Sequence, residues 1–266
     1  RDAVNQNGTY QNIPATDGGV SGFGGKYFVI TADLDLSTVC GPNINGSEIN
    51  WIPIGNTTYP FKGHLNAQHH VISNLYINDP SSNNQGLFGI LNGADIDSLH
   101  LENGFVKGGA NVGALCGSAN DTTQISNVTS GLVVQGSEHI GGIVGAAQTS
   151  NVAYSTNSGS VIASIRNVGG IIGKAENSTV NNSINAGIMI APTAVGGIVG
   201  SLEGATSAVN YALNSGMIIG QDEFMGAISG KKVTNPTVSN CYYDKQIFTA
   251  SSDGTGLFTT EITGTG

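Results

Sequence analysis

A short glycine-bracketed apolar signature returns along this chain at an almost fixed interval. It reads Gly86-Leu87-Phe88-Gly89, Gly113-Ala114-Leu115-Cys116-Gly117, Gly142-Ile143-Val144-Gly145, Gly170-Ile171-Ile172-Gly173, Gly197-Ile198-Val199-Gly200 and Gly226-Ala227-Ile228-Ser229-Gly230. The closing glycines stand 28, 28, 28, 27 and 30 residues apart. A period of that length specifies stacking, because one unit cannot bury its apolar face without a neighbour above and below.

The interior of a period sets the class. In the fourth, Val168–Ile172 is a short apolar run and Lys174–Ser178 a polar turn. Val180–Ile184 is a second extended piece, Asn185-Ala186-Gly187 a turn and Ile188-Met189-Ile190 a third piece. Three strand-length pieces between Gly, Asn and Ser, with nothing of helical length, predict an all-β chain. The expectation is a right-handed parallel β-helix, a β-solenoid of roughly 28-residue, three-strand coils, its hand taken from the general chirality of parallel crossovers. Stacking in register predicts a core column of Leu87, Leu115, Ile143, Ile171, Ile198 and Ile228. The adjacent column (Phe88, Cys116, Val144, Ile172, Val199, Ser229) is also mostly apolar, so alternation does not say which faces inward. The turns Asn157-Ser158-Gly159, Asn185-Ala186-Gly187 and Asn214-Ser215-Gly216 predict glycines at positive φ and a column of asparagines exchanging amide hydrogen bonds.

Composition narrows the partners. Charged residues make up 10% of the 266, glycines number 40, and the formal net charge is −9 with nine Lys and Arg. Ordinary globular chains carry roughly 25% charged residues. An acidic chain whose basic residues are scattered, apart from Lys231-Lys232, is a poor partner for nucleic acid or an anionic membrane. No run of 18 apolar residues offers a membrane span. There is no signal peptide at Arg1, and the polar opening reads as a mature or excised form. Cys40, Cys116 and Cys241 are odd in number and widely spaced, which suits small buried side chains better than a disulfide framework or a zinc ribbon.

Before the regular array, residues 1–25 read as a loop or N-terminal cap. Residues 26–266 read as a single solenoid, with irregular coils over 26–85, repeats over 86–240 and a C-terminal cap over 241–266. The irregular part carries Thr31-Ala32-Asp33-Leu34-Asp35-Leu36, Trp51-Ile52-Pro53-Ile54-Gly55, Pro60-Phe61-Lys62-Gly63 and His70-Val71-Ile72-Ser73-Asn74-Leu75. With Gly86–Gly89, and with Asn240-Cys241-Tyr242-Tyr243-Asp244 near the end, this order resembles the GLUG-motif proteins. These are bacterial cell-surface and secreted proteins, many named as adhesins, and the motif also stands beside peptidase domains in IgA-cleaving metallopeptidases. One departure is His64-Leu65-Asn66-Ala67-Gln68-His69-His70, where the family carries a Thr/Phe-Asp-Gly-x-Gly-His turn. The metallopeptidase activity does not carry over, since the chain holds no His-Glu-x-x-His.

Candidate chemistry is sparse. His64, His69 and His70 are the densest histidine group, but a metal site would need ligands from another coil, and exposed turn imidazoles are the plainer reading. Asp33/Asp35 and Asp95/Asp97 each share a strand face, as a glycosidase pair could, though a solvated face accounts for both. The Gly-Gly-x-x-Gly runs lack a following helix and are structural, not phosphate loops. Between Gly113 and Gly220 the acids Asp121, Glu138, Glu176 and Glu203 and the bases Arg166 and Lys174 fall at different phases of the repeat, so no wall is expected to gather them. No catalytic, cofactor-binding or metal residue is assigned. The resemblance implies an extracellular or surface-bound adhesin-like module; with no convergent titratable set and an acidic surface, the expectation is a non-catalytic, monomeric one with a glycan or protein partner. A polysaccharide lyase or hydrolase and a passive spacer are the competing readings.

Overall fold

The computed structural model describes residues 22–221 and 224–246, together with the strand pieces Thr9–Tyr10, Ile13–Pro14 and Thr255–Leu257. No helix occurs among the described residues. The rest of the sequence-predicted N-terminal cap, and most of the C-terminal one, lie outside them.

Each coil runs through three walls. The first wall stacks Phe88–Asn92, Cys116–Asn120, Val144–Gln148, Ile172–Glu176, Val199–Glu203 and Ser229–Val233. The second passes through Asp95–Glu102 and Gln124–Ser130 to paired short strands such as Thr179–Asn181 and Ile184–Asn185. The third includes Phe105–Lys107, Val133–Gly141, Ser160–Gly169 and Ile188–Ile190 with Thr193–Gly196. All strand pairing within these walls is parallel, with coil-to-coil partners such as Val152↔Val180 and Val180↔Val209. The chain is therefore a parallel β-solenoid of three-strand coils. The irregular segment already follows this path. Tyr27–Val29 and His64–Asn66 stack beneath Asp95–Asp97 in the second wall, while Ile54 and Phe61 bridge to Phe88 and Leu91 of the first. An antiparallel hairpin, Gly41–Ile44 with Ser47–Ile49, interrupts it.

Both apolar columns of the signature are buried. Ile143, Ile171 and Ile198 are 0% exposed, and so are Val144, Ile172 and Val199. The chain bends at Gly170–Ile171, so consecutive side chains both enter the core and period-two alternation fails there. At the N-terminal end Phe23, Phe28, Phe61 and Phe88 pack edge-to-face and then tilted, with ring centroids 5.3, 5.9 and 5.1 Å apart, closing the core where the coils become irregular. The polar stretch at 174–178 is strand as far as Glu176 and turns only at Asn177, whose φ is +48°.

The asparagine column forms as expected. Asn157 Nδ2 donates to Asn185 Oδ1 at 2.8 Å and Asn185 Nδ2 to Asn214 Oδ1 at 2.8 Å, all three side chains being essentially inaccessible. Each Oδ1 also accepts from a turn glycine N–H, so these buried amides are satisfied locally and along the stack.

The turn glycines correct the expectation. Gly159, Gly187 and Gly216 do not have positive φ. They are glycine because a Cβ would sit 1.9–2.0 Å from the carbonyl oxygen of Leu132, Gly159 or Gly187 in the coil before. Gly142, Gly170 and Gly197 face the asparagine ladder in the same way, a Cβ on Gly170 falling 2.3 Å from Asn185 Cγ. Left-handed backbone lies elsewhere. Through the coils from 144 to 196 it recurs at the first corner (Thr149, Asn177), in the second wall (Tyr154, Asn182) and in the third (Asn167, Ala194), with φ between 48° and 59°.

Two stability experiments follow from this packing. Ile171→Ala should cost about 2–5 kcal/mol, and Ile171→Asp should abolish the cooperative melt by burying an unpaired charge. Ile184→Ala, at a side chain 41% exposed, should stay within about 0.5 kcal/mol of the parent. Gly170→Ala should lower Tm by driving a methyl into the ladder, a cost of about 1–3 kcal/mol or more. Gly131→Ala, with Ser158 Oγ the nearest atom at 3.6 Å, should be neutral or stabilising by up to about 1 kcal/mol. Equal melts for the two alanine variants would refute the close-approach account.

Candidate functional site

The histidines do not converge. His64 stacks on Tyr27 at 4.4 Å and lies 3.5 Å from Asp95, while His70 Nδ1 is 3.0 Å from Asp33. His69 faces His100 instead, 5.9 Å away between ring centroids. Among the described residues no three His, Cys, Asp or Glu side chains are grouped to hold a metal ion.

The paired carboxylates are structural acceptors. Asp33 takes the Val71 N–H at 2.9 Å and Asp35 the Asn74 side-chain amide at 2.8 Å, and these bonds hold both carboxyls below their ordinary value. Burial pushes Asp97 up, but the donors Ser126, Asn127 and Ser98 outweigh it and its carboxyl is also held low. An acid–base couple needs two groups driven apart in pKa. Asp33 and Asp35 are driven the same way.

Cys40, Cys116 and Cys241 are buried and free. Burial pushes the Cys40 and Cys116 thiols up, which keeps them protonated and unreactive. Cys241 occupies the small-residue column of Ser155, Ser183 and Ala212.

The scattered charges of the repeats are where the structure departs furthest from the sequence reading. Glu138 and Arg166 are register partners in the third wall and pair at 2.8 Å. Lys174, Ser201 and Lys231 are register partners in the first wall. Lys174 reaches Glu203 at 3.2 Å and Glu176 at 3.4 Å, and Ser201 Oγ donates to Glu203 at 2.9 Å. A tight glycine corner lies between Arg166 and Lys174: a Cβ on Gly169 would lie 2.0 Å from the Ile172 carbonyl oxygen. The corner folds the third wall onto the first, so residues eight apart in sequence meet across a seam. Together with His139, Asn167, Thr193, Ala194 and Phe224 they line a cleft of about 220 Å³. Asp121 stays apart, accepting from the Asn92 side chain. Repeat phase alone separated these residues; the glycine corner was the signal that joins them.

A second feature was not singled out in the sequence. The left-handed column of the second wall runs Ser98, Asn127, Tyr154, Asn182, Tyr211, Asn240, with φ from 50° to 57°. Asparagine accepts that conformation readily, whereas a bulky residue there is strained. Tyr154 and Tyr211 nevertheless occupy it, each 61% exposed. They stand two coil steps apart, roughly 10 Å along the stack. Beside them runs a ladder of side-chain hydrogen bonds. Asn181 donates to Asn151 at 3.1 Å, Asn210 to Asn181 at 3.0 Å and Ser239 to Asn210 at 2.6 Å. On the other side Ile184, Leu213 and Tyr242 form a half-exposed column. The result is a flat strip of two strained aromatic faces between a rigid amide track and an apolar edge. No helix among the described residues is long and apolar enough to cross a membrane.

Comparison with known proteins adds a family motif and relatives. The model described as the GLUG motif matches residues 136–162, the stretch holding Gly142–Gly145, Tyr154 and the first ladder asparagine. Halomucin of Haloquadratum walsbyi is 36% identical over 105 residues, covering 38% of this chain and 1% of halomucin. A "Putative Gly-rich membrane protein" of Evansella cellulosilytica is 36% identical over 110 residues, covering 40% of this chain and 12% of that protein. The chain thus spans only a small part of the curated relatives it matches. In three dimensions it resembles the crystal structure of a "putative immunoglobulin A1 protease" from Bacteroides ovatus. The TM-score is 0.67 at 19% identity, over 87% of this chain and 75% of that one, a likeness that shows the fold alone. The chain carries the GLUG motif, and its parallel β-solenoid repeats that motif's glycines and apolar pair coil after coil from Gly86 to Gly230.

Proposed function

We propose that this chain is a non-catalytic module of a cell-surface or secreted protein that holds a glycan or protein partner along the outer face of its second wall. The observation that carries the reading is the placement of Tyr154 and Tyr211. Both keep a large exposed ring at left-handed backbone positions where Asn127, Asn182 and Asn240 show the cheaper choice. Strain of that kind persists where the surrounding structure enforces it, and it concentrates at ligand contacts. Exposed aromatic faces offer apolar area with little rotamer entropy to lose, and the amide track beside them supplies fixed donors and acceptors. The motif and the relatives support placing the module at a cell surface. Its low charge and acidic balance direct it to glycans or proteins rather than to nucleic acid. A contact on a flat wall is weak singly and gains strength from many copies displayed together.

The test is incubation of the purified chain with a panel of plant and host polysaccharides and matrix proteins, with and without Ca²⁺, scoring both retention and new sugar ends. Retention without turnover is expected. Tyr154→Asn with Tyr211→Asn should abolish retention while leaving Tm unchanged or raised, because asparagine relieves the left-handed strain. Release of unsaturated or reducing ends that disappears in Asp33/Asp35 or Asp95/Asp97 alanine double variants would make the chain a polysaccharide-degrading enzyme. Neither retention nor turnover would leave it a spacer.

A further inference from the structure

The seam between the third and first walls holds a concentration of charge that the second-wall strip does not use. The chain has nine Lys and Arg in all. Arg166, Lys174 and Lys231 line one cleft of about 220 Å³. Arg166 pairs with Glu138 and Lys174 with Glu176 and Glu203, so with Lys231 the cluster counts three cations against three carboxylates within a molecule of formal charge −9. An acidic ligand is repelled by most of this surface, and here that repulsion is locally cancelled.

The lining is mixed in kind. Phe224 presents an aromatic ring with Lys231 Nζ 5.6 Å from its centroid. Asn167, Thr193 and Ser201 bring an amide and two hydroxyls, and Glu203 brings a carboxylate acceptor. His139 stands at the left-handed bend of the third wall, φ +59°, and its Nδ1 is buried without a hydrogen-bond partner. A buried ring nitrogen with no partner is costly, and it leaves Nε2 as the nitrogen able to meet a ligand.

From this geometry we propose that the cleft is a second binding site, for a single sugar ring bearing a carboxylate. The aromatic ring suits the C–H face of such a ring. The hydroxyls, the amide and Glu203 suit its hydroxyl groups, and the cationic heads suit its carboxylate. A bare oxyanion would leave Phe224 unused and would be opposed by Glu203. Arg166 spends its Nε–H on Glu138 and retains its terminal donors. The volume admits one ring rather than a chain, so the site would hold a terminal or branching residue. It lies on a different wall from Tyr154 and Tyr211 and does not depend on the function proposed for that strip.

Proton linkage gives the site a signature. Burial holds the His139 imidazole below its ordinary value. Arg166 and Lys174 depress it further, Glu138 and Glu203 oppose them, and Lys231 also faces the cleft. A carboxylate entering beside the ring favours the imidazolium, so the bound form titrates at higher pH than the free form. Affinity therefore rises as pH falls through the bound-state pKa.

The experiment is calorimetric titration of the purified chain with D-glucuronate, D-glucose and inorganic phosphate, at about pH 7.5 and about pH 5.5. Glucuronate should bind saturably and more tightly at the lower pH. Glucose and phosphate should each bind at least about tenfold more weakly. Lys231→Gln and Arg166→Gln should each weaken glucuronate about tenfold. His139→Gln should remove the pH dependence while preserving the folded melt. Tyr154→Asn with Tyr211→Asn should leave this binding unchanged, which separates its outcome from that of the second-wall strip. Equal affinity for glucose would show that no anion is recognised, and equal affinity for phosphate would show only a charge trap. No saturation with glucuronate, or its loss in the tyrosine variants alone, would overturn the assignment.

Discussion

Everything in this molecule depends on the backbone hydrogen bond from one coil to the next. It fixes the register, and the register turns a sequence period into physical columns: isoleucine over isoleucine, asparagine over asparagine, glycine over glycine. Backbone groups along each wall are satisfied by neighbouring coils, so the side chains need supply only shape. That is why a chain with 10% charged residues can fold. The core columns exclude water, and many corners use Asn and Gly, which bend the backbone at low cost.

Most of the architecture was legible, because spacing is what a solenoid encodes. The period gave the coils, the Gly-Ile-x-Gly signature gave the core column, and Asn157, Asn185 and Asn214 gave the ladder. What escaped were contacts between positions at different phases. Local turn rules point the turn glycines to positive φ, yet Gly159 and Gly187 are demanded by a carbonyl in the preceding coil, which no local rule reveals. Ile171 and Ile172 both enter the core because of a bend between two walls. Arg166 and Lys174 looked unrelated, since phase reading treats each wall as independent and the glycine corner couples two of them. The left-handed column was hidden as well: asparagine there is an ordinary turn residue, and only the register shows Tyr154 and Tyr211 standing in asparagine's place.

The two candidate surfaces differ in what binding would ask of the protein. The second-wall strip is flat, its amide track is cross-linked by side-chain hydrogen bonds along the stack, and its tyrosines have few side-chain torsions to lose on binding. The seam is concave and electrically compensated, and its response is governed by the one imidazole buried at the bend. Both arise at left-handed residues. A solenoid must break its strands to close each coil, and at those breaks a side chain can be turned out of the wall without disturbing the core.

The direction of the intercoil bonds also decides how such a rod meets force. The strands run across the axis and the hydrogen bonds along it, so the first and last described coils lie at opposite ends of the stack. Tension between those ends would pull on one coil's bonds at a time rather than shear all of them together. A terminal coil would peel while the coil beneath kept its own core and its own ladder. Each release would add the contour of one repeat, roughly 90–100 Å of extended chain. Tethered between two points, the molecule would lengthen in steps set by its sequence period, shedding load coil by coil.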